Sequence, residues 1–206
     1  MRHFHASCVR FTHGASIVVE PRLRSGQIRA VNHLAHARKV FDIELAALRA
    51  VRAQLDGAFI RAVELIVESL RQRGKVVVVG IGKSGNVGQK IAATLSSTGC
   101  TSVVLNSVDA LHGDLGVVND GDLILALSYS GESAELLELL PALKRFPVKI
   151  IALTGAPKSA LGRHSDIVLN VRVPREACPF NLAPTSSTTA MLVTGDALAM
   201  AVLRAR

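Results

Sequence analysis

The amino-acid sequence predicts an α/β fold, a three-layer α/β/α sandwich around a five-stranded parallel sheet of the flavodoxin-like type. Short runs of Val, Ile and Leu alternate with longer segments whose apolar residues recur at helical spacing. That alternation is typical of a parallel sheet with helices on both faces. Hydrophobic residues make up 49% of the chain and aromatic residues only 3%, so the core must be aliphatic, as in buried parallel sheets.

The N-terminal residues precede this pattern. Residues 1–28 contain four Arg, one Glu, Pro21 and Gly26, and they show no clear periodicity. They also lack the apolar core of a signal peptide. We therefore expect a basic, flexible arm over residues 1–28 and a single domain over residues 29–206.

Two helices are predicted before the first strand, because apolar residues recur there at helical spacing. The positions that mark them are Val40, Ile43, Leu45, Ala47 and Leu48 for the first, and Phe59, Ile60, Val63, Ile66, Val67 and Leu70 for the second. Long apolar helices outside the sheet also predict faces that are buried against another copy of the chain.

The sheet and its helices are predicted from the remaining pattern. The predicted strands are Val76 to Val79, Val103 to Leu105, Leu123 to Leu127, Ile150 to Leu153 and Ile167 to Val171, and the predicted helices cover about residues 86–97, 133–145, 158–164 and 187–204. Ligands of such sheets bind outside the carboxyl ends of the strands. A binding site is therefore expected at the turns that follow the strands.

The turn GIGKSGNVG follows the first strand. Its glycines match the GxGxxG pattern of dinucleotide-binding proteins, but no acidic residue ends the next strand to bind a ribose. Gly82, Lys83 and Ser84 suit a compact anion instead. A sugar-phosphate turn, a dinucleotide turn and a purely structural turn all remain open, and the Lys and Ser favour the first.

The turn SYSGESAE follows the third strand and opens a helix. Helix N-termini favour phosphate through their free amides and the helix dipole. Capping of the helix would explain one serine, but this turn carries Ser128, Ser130 and Ser133. The three hydroxyls, with Gly131 allowing close approach of the backbone, predict a phosphate-binding turn.

Ionisable side chains surround these two turns. Glu135 lies one helical turn inside the helix after SYSGES and is a candidate general base, with Glu132 and Glu138 as competing carboxylates. His112 lies in the turn ALHGDLG, where a lone histidine is either structural or part of the site. A single histidine does not predict a metal site.

The segment REACPFNLAPTSSTTA precedes the last helix and contains Glu176. It also carries a cluster of hydroxyl side chains, Thr185, Ser186, Ser187, Thr188 and Thr189. Two hydroxyls would suffice to cap the helix, so we expect some of the others to face a ligand.

Charge and cysteine content narrow the functional classes. The net charge is +8, without a compact basic run or stacking aromatic residues. An ordinary solvated surface is therefore favoured over nucleic-acid binding, and a mild attraction for phosphorylated sugars is compatible with it. Three widely spaced cysteines are typical of a reduced, cytoplasmic protein without disulfides or structural zinc. The apolar C-terminal run is interrupted by Gly195 and Asp196 and predicts a buried helix rather than a membrane span.

The motifs GIGKSGNVGQKIAATLSSTG, LHGDLG, SYSGESAE and EACPFNLAPTSSTTAMLVTGDALA resemble the sugar isomerase (SIS) domain of D-arabinose 5-phosphate isomerases. The first and third occur broadly in SIS domains, while the other two are more specific to these isomerases. The resemblance covers about residues 35–206. It implies interconversion of D-ribulose 5-phosphate and D-arabinose 5-phosphate, supply of Kdo for bacterial lipopolysaccharide, a cytoplasmic homotetramer, and no cofactor.

The resemblance also implies roles for individual residues. Glu135 is expected to act as the base, Lys83 as the electrostatic stabiliser and Glu176 as an assisting acid or base, with His112 in the active-site turn. The residues expected to contact the substrate, from the motif match and from the hydroxyl cluster, are Gly82, Ser84, Ser128, Ser130, Ser133, Thr185 and Ser186.

Members of this group continue beyond the last helix with a Ser-His-Pro-Gly-Gly segment whose His is catalytic, and many add two CBS modules. The sequence ends at Arg206 without either, which predicts that the chain binds arabinose 5-phosphate better than it turns it over. A non-catalytic sugar-phosphate-binding module is the alternative function. A further alternative, a nucleotide-dependent oxidoreductase, is supported only by the GxGxxG pattern.

Overall fold

The computed structural model describes residues 32–111 and 113–206, and it confirms the predicted parallel sheet. The strands are β1 Val76–Gly80, β2 Ser102–Leu105, β3 Leu123–Leu127, β4 Lys149–Thr154 and β5 Ile167–Asn170. All pairs are parallel, in the order β2-β1-β3-β4-β5. This is the flavodoxin-like order, in which the chain reverses direction across the sheet between β1 and β3. The basic arm predicted over residues 1–28 lies outside the described residues.

The helices cover both faces of the sheet. They are α1 His33–Ala53, α2 Gly57–Arg71, α3 Gly82–Ser97, α4 Ser107–Leu111, α5 Ala134–Leu143, α6 Ala160–His164 and α7 Ser186–Ala205, with a 3-10 turn at Asp114–Val117. One core cluster joins the sheet to α1, α2, α3 and α7, and a second joins it to α4, α5 and α6. The sandwich therefore has three layers, as predicted.

The interior strand β1 contributes side chains to both cores. Val76 and Val78 belong to the core beneath α2, α3 and α7, whereas Val77 and Val79 belong to the core beneath α5. All four side chains are fully buried. A continuous run of valine is what a strand covered on both faces requires.

The helix α7 is a core element, as its apolar sequence predicted. Met191, Leu198 and Val202 are completely buried. A side chain at Gly195 would overlap Ile91 of α3, so only glycine permits this close approach. By length and composition α7 is also the one described helix that could span a membrane, and half of it is buried inside the fold.

The start of α3 differs from the prediction, because the helix begins at Gly82 rather than near residue 86. Glycine lowers helix propensity, which hid this first turn in the sequence. The turn is nonetheless formed, because the Gly85 amide donates to the Ile81 carbonyl at 3.2 Å. A Cβ atom at Gly85 would lie 2.8 Å from the Gly80 carbonyl oxygen, so the glycine lets α3 start directly after β1. Lys83 and Ser84 consequently lie in a helical first turn.

Candidate active site

A cleft of about 460 Å³ opens at the carboxyl ends of β1 and β3. This is the point where ligands of flavodoxin-like sheets bind. Its lining consists of Ile81, Lys83, Ser84, Ser128, Tyr129, Ser130, Ser133, Glu176, Asn181, Leu182, Pro184, Ser187, Thr188 and Met191. The structure thus brings together six of the predicted site residues: Lys83, Ser84, Ser128, Ser130, Ser133 and Glu176.

The first turn of α3 contributes a cation and a hydroxyl to the cleft. Lys83 is exposed and forms no ion pair within residues 32–111 and 113–206. Its charge is therefore available to an anion. The Ser84 hydroxyl lies 3.9 Å from the Met191 sulfur on α7, a weak contact that leaves the hydroxyl able to bind a ligand. The sequence analysis did not identify Met191, because helical periodicity does not show where a helix borders a cleft.

The serines of the second turn hold the turn together as well as lining the cleft. The Gly131 amide donates to the buried Ser128 hydroxyl at 3.1 Å, and the Ser128 and Ser133 hydroxyls hydrogen-bond each other at 2.8 Å. The Glu132 amide donates to the Ser130 hydroxyl at 3.2 Å. Ser133 is the N-cap residue of α5, yet its side chain makes no capping hydrogen bond. Simple capping therefore does not account for the three serines.

The same turn is fastened to α6. The Ala160 amide donates to the Glu132 carboxylate at 2.8 Å, and the Leu161 amide donates to the Gly131 carbonyl at 3.0 Å. Gly131 has a φ of 67°, and a side chain there would overlap Ser159. One carboxylate oxygen of Glu132 is thus engaged at the N-terminus of α6.

Tyr129 lies between Ser128 and Ser130 in the turn and also lines the cleft. Its ring packs against Gly155, where any side chain would overlap it. Its carbonyl accepts from the Gly155 amide at 3.0 Å and from the Thr154 hydroxyl at 3.2 Å. Sequence reasoning identified the turn but not this aromatic residue, because nothing in the motif shows which way the ring points.

Glu176 is held at the N-terminus of α7. Its Oε2 atom accepts hydrogen bonds from the Thr185 amide at 2.7 Å, the Thr185 hydroxyl at 3.1 Å and the Ser187 amide at 3.2 Å. Its Oε1 atom accepts none from a described residue. Partial burial would raise the pKa of Glu176, but the Ser187 and Thr185 groups outweigh it and hold the pKa below its ordinary value. The cleft therefore contains an ionised carboxylate with one oxygen fixed and the other available.

Several predicted site residues lie outside the lining. Glu135 is exposed in the first turn of α5. Gly82 is exposed, and a Cβ atom at this position would meet no other atom within 4 Å. The Thr185 hydroxyl is occupied by Glu176 and by the Ala177 amide, and Ser186 is fully buried. Their contacts with substrate stay predictions, as does the role of His112, which lies outside the described residues.

The described residues offer no group of three or more His, Cys, Asp or Glu side chains that could hold a metal ion. What the cleft does offer is a lysine, several hydroxyls and a carboxylate. These groups can bind a phosphate, hydrogen-bond a polyol and move a proton.

Comparison with known proteins agrees with this chemistry. The family model for the SIS domain matches residues 69–201. The chain is 44% identical over 180 residues to arabinose 5-phosphate isomerase KdsD of Francisella tularensis, covering 87% of this chain and 55% of that protein. It is 55% identical over 134 residues to the KdsD protein of Escherichia coli K12, covering 65% and 41%. The chain spans about half the length of the curated relatives it matches.

A solved structure of high similarity is that of a protein of Escherichia coli CFT073 in complex with arabinose 5-phosphate. The two chains share 34% identity with a TM-score of 0.81, over 86% of this chain and 93% of that one. The likeness thus extends over almost the whole of the solved chain.

Proposed function

This chain belongs to the SIS domain family, and on that premise we propose that it is an aldose–ketose isomerase that interconverts D-ribulose 5-phosphate and D-arabinose 5-phosphate. The observation that carries the proposal is the cleft that gathers Lys83, the serines of the turn after β3, and Glu176. The relatives named arabinose 5-phosphate isomerase support the choice of substrate, as does the similar structure in complex with arabinose 5-phosphate.

The phosphate end of the substrate would bind to the turns after β1 and β3. The first turn of α3 and the Ser133 end of α5 both offer helix N-termini, where free amides and the helix dipole favour an anion. Ser84, Ser128 and Ser130 add hydroxyl donors from the same cleft.

The reacting end of the sugar needs a proton to move between C1 and C2. A base takes the C–H proton, an enediolate forms, and the proton returns to the neighbouring carbon, while a hydroxyl proton moves between the two oxygens. The reaction involves no net oxidation, so no redox cofactor is required. Lys83 would stabilise the oxyanion of the enediolate electrostatically.

Two carboxylates would share the proton transfers. Glu176 fits the assisting role, because Oε2 is held by α7 while Oε1 has no partner among the described residues. Glu135 remains the proposed base from the family resemblance. It follows Ser133 of the cleft by two residues and has no hydrogen bond or ion pair to a described residue, so its side chain can reorient.

We further propose a cytoplasmic homotetramer that contributes to Kdo and lipopolysaccharide synthesis. Support for self-association comes from exposed apolar side chains on α1 and α7: Leu34, Phe41, Leu45, Val193, Met200 and Leu203. Leu45 and Val193 border an apolar groove of about 320 Å³ between these helices. An exposed apolar groove is typical of protein interfaces.

The test is conversion of ribulose 5-phosphate to arabinose 5-phosphate by the purified chain, followed by NMR. Accumulation of the aldose, with solvent deuterium entering at C2, is the expected result. Binding of arabinose 5-phosphate without any conversion would contradict the proposal and favour a non-catalytic binding module. Binding of NAD with no sugar-phosphate binding would favour the oxidoreductase alternative.

A further inference from the structure

Thr185 is the N-cap residue of α7, but its side chain makes no capping hydrogen bond to that helix. The side chain of an N-cap threonine ordinarily accepts a hydrogen bond from the amide two or three residues further on. Here the Glu176 carboxylate accepts from the Ser187 amide instead, at 3.2 Å. The Thr185 hydroxyl therefore makes its hydrogen bonds outside its own helix.

The Thr185 hydroxyl makes two hydrogen bonds whose directions are fixed by their partners. It lies 2.8 Å from the Ala177 amide and 3.1 Å from Oε2 of Glu176. An amide N–H can only donate and an ionised carboxylate can only accept, so the hydroxyl proton points at Oε2. The one proton of the Thr185 hydroxyl is thus committed to Glu176.

Thr185 holds the same carboxylate oxygen a second time, because its backbone amide donates to Oε2 at 2.7 Å. With the Ser187 amide, three donors meet at this one oxygen. The backbone of Glu176 is held as well, since its amide donates to Oδ1 of Asn181 at 3.1 Å. Three donors favour negative charge on Oε2. A proton that Glu176 exchanges with a bound ligand is therefore carried by the other oxygen, Oε1.

Hydrogen bonds account for the ionised state of Glu176. Partial burial would raise the pKa of this carboxyl, but the hydrogen bonds of Ser187 and Thr185 lower the pKa by more than burial raises it. The charged and titratable side chains that share the cleft, flank Glu176 on its loop or face α7 from α1 are Lys83, Tyr129, Arg175, Cys178 and Glu44. The lowering of the Glu176 pKa comes from the hydrogen bonds and not from these side chains.

We propose that Thr185 is a positioning residue for the isomerisation, because its hydroxyl and amide fix Oε2 of Glu176 and leave Oε1 to exchange protons with the sugar. The proposal rests on the proposed function, since it takes Glu176 to assist the proton transfers. Thr185 then acts on the reaction through Glu176 rather than by contact with the substrate.

The experiment compares Thr185→Val, which removes the hydroxyl and keeps the branched shape, with Thr185→Ser, which keeps the hydroxyl. Thr194→Val is the matched control on the same helix, because the buried Thr194 hydroxyl donates to the Ala190 carbonyl at 2.8 Å and lies outside the cleft lining. Assays with ribulose 5-phosphate across pH give kcat and KM, and calorimetry gives the Kd for arabinose 5-phosphate. Circular dichroism and thermal melting check the fold.

A direct readout is the pKa of Glu176 in each protein without ligand. Carbon-13 NMR of protein labelled at the glutamate carboxyl carbons follows the titration, and the spectrum of Glu176→Gln assigns the resonance. A threonine that only stabilises the fold would leave this pKa unchanged.

We expect Thr185→Val to lower kcat by about ten- to a hundredfold, as for loss of a hydrogen bond to a charged group, and to leave the Kd for arabinose 5-phosphate unchanged. Removal of a donor from the ionised carboxylate disfavours that form, so the Glu176 pKa should rise and the acid limb of kcat/KM should move to higher pH. Thr185→Ser and Thr194→Val should match the unaltered chain.

An unchanged Glu176 pKa in Thr185→Val would overturn the proposal, and so would a Thr185→Ser variant as impaired as Thr185→Val. Weaker arabinose 5-phosphate binding with unchanged kcat would also overturn it, in favour of direct contact with the substrate. If the unaltered chain binds arabinose 5-phosphate without isomerising it, the proposed function fails, while the NMR titration still decides whether Thr185 controls Glu176. If the unaltered chain isomerises and Thr185→Val matches it in every quantity, only the positioning role fails.

Discussion

The hydroxyl of Tyr129 accepts a hydrogen bond of 3.1 Å from the backbone amide of Val173. Tyr129 belongs to the serine turn after β3, and Val173 belongs to the segment that runs from β5 toward Glu176. This hydrogen bond therefore connects the proposed phosphate turn to the chain that carries the cleft carboxylate.

Replacement of Tyr129 by Phe should destabilise the fold modestly. The ring would still pack on Gly155, but the part-buried Val173 amide would lose its acceptor, and such a loss costs about 1 kcal/mol. Urea denaturation would measure the free energy of unfolding. A midpoint identical to that of the unaltered chain would show that water replaces the tyrosine hydroxyl without cost.

Replacement of Lys83 by Met should reduce turnover. Lys83 has no counter-ion among the described residues, so its charge is available to the ligand, and a charge-assisted hydrogen bond contributes about 1.5–3 kcal/mol. Steady-state kinetics should show kcat/KM lowered by at least about tenfold. The control is Lys90→Met, on the same helix, which removes only the exposed ion pair with Asp196; equal losses in both variants would refute a specific role for Lys83.

Replacement of Glu176 by Gln should lower both stability and activity. The carboxylate caps α7 through the Thr185 and Ser187 amides, and loss of a good cap costs about 1 kcal/mol. Because the folded pKa lies below the ordinary value of 4.5, the stabilisation is present above pH 4.5 and is lost as the pH falls through the folded pKa. Denaturation between pH 7 and pH 3 should therefore show the two proteins converging in acid. A constant difference would contradict this.

Replacement of Glu135 by Gln should retain substrate binding and lose proton exchange. If Glu135 is the base, the amide cannot remove the C–H proton, and loss of a general base costs about 100- to 10,000-fold in rate. NMR in deuterated water would follow the exchange. Glu138→Gln, on the same helix, should exchange at the original rate; the reverse ranking would assign the base to Glu138.

The sheet could be predicted closely from sequence because its signal is local. The valine run of β1 and the aliphatic run of β3 are each bounded by glycine or polar residues, so their ends were located within about one residue. The start of α3 was missed, because the contact that requires Gly85 is with β1 and not with its neighbours in sequence.

The site could be predicted only in part, because the direction of each side chain depends on tertiary packing. Serines that directly follow a strand must lie at the sheet edge, so Ser128 and Ser130 were found. The hydroxyls at the start of α7 look alike in sequence. Successive helical residues point about 100° apart, so Ser187 borders the cleft while the adjacent Ser186 does not. Only the orientation of α7 against α3 determines which of these two serines borders the cleft.

The sharing of β1 between the two cores has a consequence for how the protein unfolds. Alternate valines of one strand complete both hydrophobic clusters, so neither cluster can open while β1 keeps its place in the other. Local opening that involves β1 must therefore disrupt both faces at once, and its free energy approaches that of global unfolding. The amides of Val77 and Val78 are accordingly expected to exchange with solvent among the slowest in the chain, and the turns that carry the cleft serines faster. We therefore expect β1 to open only together with the whole fold, whereas the turns at the ligand-binding edge of the sheet can open locally.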